Sequence, residues 1–139
     1  MNIIVFGSTG QTGRAAISKL LEAENKVTAF ARDTSKVAAV ADLKIVQGDA
    51  MQLADVERAV PGHDAIVVTL GNSQNPFALL FGARRTTPPN ICEVGTRNII
   101  AALGSATSVR LIAVTAFWDR RYSRKAAFAF QDVLPIALA

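Results

Sequence analysis

Three glycines, Gly7, Gly10 and Gly13, stand at three-residue spacing in the segment FGSTGQTG, directly after the apolar run Ile3-Ile4-Val5-Phe6. A strand that stops at such a turn and restarts as a helix leaves several backbone N–H groups without intrahelical partners. They aim at one point, which attracts an anion, most often a phosphate. The first glycine permits the tight turn, the second lets a pyrophosphate approach the backbone, and the third lets the helix pack close to the strand. Between them Ser8, Thr9, Gln11 and Thr12 are expected to supply N–H groups and short polar side chains. Other reactive groups are scarce. The chain has one cysteine, Cys92, and one histidine, His63, the latter in a turn-like PGHD. Neither a Cys/His metal site nor a Ser-His-Asp set is expected, and Cys92 reads as a small buried hydrophobe.

The elements that must position this turn follow from apolar runs bounded by turn residues. Strands are expected at 3–6, 65–70 (AIVVTL) and 109–115 (VRLIAVT), with weaker ones at 27–31 (VTAFA) and 43–46 (LKIV). Helices are expected at 13–24, 54–60 and 90–103. In the first of these Ala16, Ile17, Leu20 and Leu21 share a face, away from Arg14, Lys19 and Glu22. Alternating strands and helices predict an α/β fold, a Rossmann-like, doubly wound parallel sheet in the order 3-2-1-4-5 with helices on both faces. Its ligand crevice lies beyond the carboxyl ends of the strands, where the order reverses, and FGSTGQTG falls there. The strand before and the helix after make the glycine turn a dinucleotide site.

The second strand distinguishes between dinucleotides. NAD binders place an acidic residue about 20 residues beyond the glycines to hold the ribose 2′-hydroxyl, whereas NADP binders offer a cation. Here VTAFA ends in Arg32, followed by Asp33, Thr34, Ser35 and Lys36. A guanidinium can fork onto the 2′-phosphate while its plane covers the adenine, so Arg32 with Lys36 predicts NADP(H) in preference to NAD(H).

Composition sets the remaining bounds. The chain has 139 residues, of which 50% are hydrophobic and 19% charged, as expected of one well-buried domain over residues 1–139. No apolar stretch reaches membrane-spanning length and no signal core opens the sequence, so a cytoplasmic protein with no membrane partner is expected. The net charge of +4 is uneven: residues 1–70 carry seven Lys/Arg against eight Asp/Glu, residues 71–139 eight against three. The excess sits at Arg84-Arg85 and at Arg120, Arg121, Arg124 and Lys125. Without interleaved aromatics or a reader motif, these clusters read as solvated loops or as loops facing a phosphorylated ligand, and not as a nucleic-acid surface. The stretch 72–89 is one long irregular segment at the ligand end of the fourth strand, where such loops are often functional.

Taken together, GSTGQTG, ARDTSK, GDAMQLADVERAVPGHDAIVVTLG, EVGTRNIIAAL and VRLIAVTAFWD resemble the atypical short-chain dehydrogenase/reductases. Within them the chain is similar to the NAD(P)H-binding branch that holds biliverdin-IXβ reductase (flavin reductase) and the NmrA-like proteins, in order from Met1 to about Asp119. The resemblance implies that Thr9, Gly10, Gln11, Thr12 and Gly13 bind the pyrophosphate, and Arg32 with Lys36 the 2′-phosphate. It further implies that Asp49, with the backbone of Ala50 and Met51, borders the adenine, and that Leu70, Gly71 and Asn72 line the way to the nicotinamide. Thr115 falls where the family often has a serine beside the nicotinamide, which makes it the candidate catalytic hydroxyl. Read from its position alone, Thr115 is a hydroxyl at the carboxyl end of a strand.

Two features depart from the family pattern. Ordinary short-chain dehydrogenases pair a Tyr with a Lys four residues on, whereas Tyr122 and Lys125 are three apart in a basic loop. The biliverdin/flavin reductase branch does without that pair: the cofactor supplies hydride and the pocket orients the acceptor. Residues 118–139 form an atypical basic loop and an apolar tail, AAFAFQDVLPIALA, where relatives continue with a further helix and strand. Either the sequence is a fragment, or the tail packs across the missing region and helps form a homodimer, which the fifth strand would also invite as an unprotected edge. The expected function is NADPH-dependent hydride transfer to a flavin, quinone or tetrapyrrole-like acceptor, the alternative a non-catalytic NADP(H)-sensing module of NmrA type.

Overall fold

The computed structural model describes residues 1–71, 87–105 and 108–114. Asn72, Thr115, Tyr122, the basic clusters at 84–85 and 120–125, and the tail at 126–139 lie outside the described residues.

Five parallel strands, β1 (Asn2–Phe6), β2 (Lys26–Ala31), β3 (Leu43–Gln47), β4 (Ala65–Val68) and β5 (Arg110–Ala113), form one sheet in the order β3-β2-β1-β4-β5. Helices α1 (Gln11–Glu22), α2 (Leu53–Ala59) and α3 (Ile91–Leu103) form the crossovers, and a single 3₁₀ turn spans Thr34–Lys36. This is the expected doubly wound order. The continuous apolar run of β1 follows from its central place, because side chains alternate between faces and both faces are covered. Ile3 and Val5 pack with Ile17 of α1, while Ile4 and Phe6 pack with Val56 of α2 and Ile99 of α3. Leu20 and Leu21 complete the apolar stripe of α1 on the first face.

The ends of the sheet differ from the sequence expectation. β4 ends at Val68, and the next residue, Thr69, has its amide and its hydroxyl both donating to Phe6 O, at 2.9 and 3.0 Å. β5 is not a buried strand: all four of its residues are exposed, Ile112 at 42%. Its pairing with β4 covers one edge, and among the described residues nothing packs on its faces as α1, α2 and α3 pack on β1.

His63 has a structural place. Its Nδ1 donates to Val60 O at 3.1 Å, which leaves Nε2 to accept from the Thr28 hydroxyl at 2.9 Å. The imidazole thereby satisfies a hydroxyl buried within β2. No described helix is long and apolar enough to cross a membrane.

Candidate functional site

The glycine turn is built by steric necessity at two positions and by something else at the third. Gly7 has φ of +86°, and a Cβ there would meet Thr69 O at 2.6 Å. A Cβ on Gly13 would lie 2.2 Å from Gly7 O, so α1 can approach β1 only because that atom is missing. Gly10 is not constrained in this way. Its φ is −76° and a Cβ would meet only Gly7 O, at an ordinary 3.5 Å. The protein therefore tolerates a side chain at Gly10, yet Gly10 lines a cavity of about 290 Å³ at the carboxyl ends of the strands. Packing does not require glycine at this position, which borders open space.

The turn is fixed from below. Gly10 N–H donates to Gly7 O at 3.1 Å, and the Ser8 hydroxyl, 1% exposed, donates to Phe30 O at 2.8 Å. Ser8 thus ties the turn to β2 and does not offer its side chain to a ligand, contrary to the sequence expectation. Thr69 braces the other side, its hydroxyl lying 3.3 Å from Gly7 O as well. Helix α1 begins at Gln11 with Gly10 as N-cap, no side chain caps it, and its first turn holds no acidic residue. An uncapped N-terminus of this kind presents amides and a positive dipole end to the cavity.

Around this point the fold gathers most of the residues chosen from the sequence. Gly7, Thr9, Gly10, Gln11 and Thr12 line one wall of the cavity, Arg32 and Asp49 with Ala50 a second, and Leu70 with Gly71 a third. Gly13 does not line it, being buried behind the turn where its role is close packing. Lys36 does not line it either. Its ammonium sits 3.4 Å from Asp33 in the 3₁₀ turn, and its carbonyl accepts from the Arg14 guanidinium at 3.0 Å. In that turn the Asp33 carboxylate accepts from the Ser35 amide at 3.1 Å and from the Ser35 hydroxyl at 2.6 Å. The hydroxyl bond is the chief reason the Asp33 carboxyl is held below its ordinary range.

The wall opposite the glycines is stiffened by bonds that the sequence reading did not find. Asp49 N–H donates to the Asp55 carboxylate at 2.9 Å, and Asp49 Oδ1 accepts from Met51 N–H at 2.9 Å. From α3, the Asn98 side-chain amide donates to Ala50 O at 2.9 Å. Thr69, Thr87 and Ile91 also line the cavity and were not singled out. The available signal was the polar Thr69 closing an apolar strand run and the polar Asn98 inside an apolar helix segment. Cys92 is exposed, not buried, and its thiol donates to Leu70 O at 3.1 Å.

The arrangement combines an uncapped helix N-terminus, glycine-lined space and a cation at the end of β2, which suits a phosphorylated dinucleotide. A family model described as NAD(P)H-binding matches residues 7–134. The chain belongs to this NAD(P)H-binding family. Among curated proteins it is similar to the NAD-dependent epimerase/dehydratase FUM13 of Gibberella moniliformis (strain M3125 / FGSC 7600). The two are 30% identical over 127 residues, covering 82% of this chain and 34% of the relative.

Solved structures similar to this NAD(P)H-binding chain include the oxidoreductase ylbE from Lactococcus lactis. That match has TM-score 0.63 at 23% identity and covers 84% of this chain and 48% of that one. A second is the Bordetella bronchiseptica enzyme WbmH in complex with NAD+, with TM-score 0.61 at 20% identity, covering 79% and 37%. A third, a short-chain dehydrogenase/reductase from Veillonella parvula DSM 2008 in complex with NADP, has TM-score 0.60 at 17% identity, covering 82% and 46%. At these identities the likeness is one of fold, the Rossmann fold. The chain spans about a third of the curated relative's length and less than half of each of these structures.

Proposed function

We propose that the cavity binds NADP(H) in preference to NAD(H), and that the chain serves an NADPH-dependent reductase of the biliverdin-IXβ/flavin reductase and NmrA-like branch. The observation that carries the reading is the meeting, in one cavity, of the uncapped N-terminus of α1, the space beside Gly10 and the exposed Arg32 at the end of β2. The amides of Gln11 and Thr12 would hold the pyrophosphate and Arg32 the 2′-phosphate, with Asp49 and Ala50 bordering the adenine. Leu70 and Gly71 would then flank the nicotinamide end, from which the bound cofactor supplies hydride to a flavin, quinone or tetrapyrrole-like acceptor. On the resemblance alone, Asn72 would line the way to the nicotinamide and Thr115 would be the catalytic hydroxyl.

A second reading, a non-catalytic NADP(H) sensor, is favoured by one observation. Among the described lining residues at the far end of the cavity, Leu70, Gly71, Thr87 and Ile91, none titrates near neutrality. Paired calorimetric titrations with NADPH and NADH test the common part. NADPH is expected to bind the more tightly, and Arg32→Glu to weaken it about a hundredfold while leaving NADH within a few-fold, since two charge-assisted hydrogen bonds become a repulsion. Equal affinities for the two nucleotides would remove the assigned role of Arg32. Steady NADPH oxidation with added flavin or quinone then separates reductase from sensor.

A further inference from the structure

A second depression adjoins the first and shares Arg32, Gly48 and Asp49 with it, its remaining lining being Gln47, Asp55 and Arg58. Arg32 therefore borders both hollows, and the second one is lined by another arginine as well. Resting on the NADP(H) reading above, we infer that Arg58 of α2 is a specificity-determining cation that acts with Arg32 on the phosphorylated ribose side of the adenosine.

Arg58 is held ready for an anion. One of its terminal nitrogens donates to Asp55 Oδ1 at 2.8 Å, and the other oxygen of Asp55 accepts the Asp49 amide at 2.9 Å. The carboxylate that orients the guanidinium is thus itself fixed to the cavity wall. A guanidinium carries five N–H donors, so the single bond to Asp55 leaves a usable fork. The Arg58 side chain is 72% exposed and that of Asp55 28%, so Arg58 is the more open to solvent of the pair.

Lys36, the cation expected beside Arg32, is less suited to this task. Lys36 lines neither hollow, and its ammonium already pairs with Asp33 at 3.4 Å. Proximity in sequence to Arg32 does not put it beside the same space, whereas the β3–α2 connection brings Arg58 there. The hollow also contains acceptors, Asp49 and Asp55, so it suits a ligand with both an amine donor and a phosphate, as adenosine 2′-phosphate has.

The experiment uses the whole chain with two nicotinamide-free probes, 2′,5′-ADP and 5′-AMP, which differ only in the 2′-phosphate. Arg58→Gln is expected to weaken 2′,5′-ADP on the order of tenfold and 5′-AMP by no more than about twofold, the loss shrinking as salt is raised. Arg58→Lys should recover part of the loss, and Lys36→Gln should change neither probe more than about twofold. Equal losses on both probes would make Arg58 a shaper of the adenine site and overturn the inference. So would an unchanged 2′,5′-ADP affinity, or a loss that follows Lys36 instead. If the unsubstituted chain binds 2′,5′-ADP and Arg58→Gln does not weaken it, only this inference falls. If the unsubstituted chain binds neither probe nor NADPH, the functional reading falls with it.

Discussion

The two ends of the cavity are built differently. At the proposed adenosine end two arginines, Asp55 and the Asn98 amide surround Gly48, Asp49 and Ala50, and fixed hydrogen bonds at 2.8 to 2.9 Å connect several of them. At the opposite end Leu70, Gly71, Thr87 and Ile91 present apolar surface, one hydroxyl and backbone. On the proposed NADP(H) reading, affinity and nucleotide choice would reside in these preorganised polar groups, which lose little entropy on binding. What the other end does depends on what occupies it. In the βαβ frame the difference is natural, since a phosphate needs charges and amides in fixed places while a flat acceptor needs surface.

The sharpest way to test this division is inside the glycine turn, where packing and ligand demands separate. Gly13→Ala puts a Cβ 2.2 Å from Gly7 O, a backbone atom that cannot swing aside, and is expected to destabilise the fold by about 3 kcal/mol or more in urea unfolding. Gly10→Ala meets nothing closer than 3.5 Å and should lower stability by about 1 kcal/mol or less, the cost of a poorer N-cap. Its NADPH affinity should nonetheless fall more than about tenfold, because the methyl would occupy the space proposed for the pyrophosphate. A stable Gly10→Ala variant with unaltered affinity would move the phosphate away from the turn.

Substitutions in the supporting residues give intermediate effects. Asn98→Leu removes the donor to the Ala50 carbonyl and should cost about 1 to 3 kcal/mol of stability, with weaker 5′-AMP binding. At the other end, Thr87→Val deletes one neutral hydroxyl from the cavity and should change NADPH affinity by no more than about fivefold. If Thr87→Val proved as costly as Arg32→Glu, the contrast between the two ends would be lost.

The fold was legible because its strongest signals are local. The Ile3–Phe6 run is apolar at every position because both faces of β1 are covered, and Gly7 follows where the chain must turn with positive φ. Side-chain direction was not legible. Ser8 sits among ligand-facing residues, yet its hydroxyl is buried on Phe30 O, a partner 22 positions away. Lys36 lies near Arg32 in sequence yet lines neither hollow, while Arg58 of α2 lines the second one together with Arg32, a tertiary relation that spacing does not encode. β5 misled for a related reason. Its composition is that of a covered strand, but cover is a property of neighbours, and Leu111 and Ile112 are 37% and 42% exposed.

The smallest expected effect concerns pH and the 3₁₀ turn. The Ser35 hydroxyl foremost, then the Ser35 amide and the Lys36 ammonium, hold the Asp33 carboxyl below its ordinary value against a desolvation effect that raises it. A carboxyl whose folded value is depressed contributes stability that is fully present above its unfolded value, about pH 4, and lost as pH falls through the folded value. The protection factor of the Ser35 amide, which donates to Asp33, should therefore fall as the solution is acidified below about pH 4, with global unfolding a separate, cooperative event. Ser35→Ala should raise the Asp33 titration midpoint seen by NMR. Because the turn carries Lys36 and not the cavity wall, Asp33→Asn at neutral pH should change NADPH affinity by less than about threefold, even though it frees the Lys36 ammonium. A larger gain would mean that the released Lys36 reaches the 2′-phosphate, and that the Asp33 pairing restrains a cation the nucleotide could otherwise recruit.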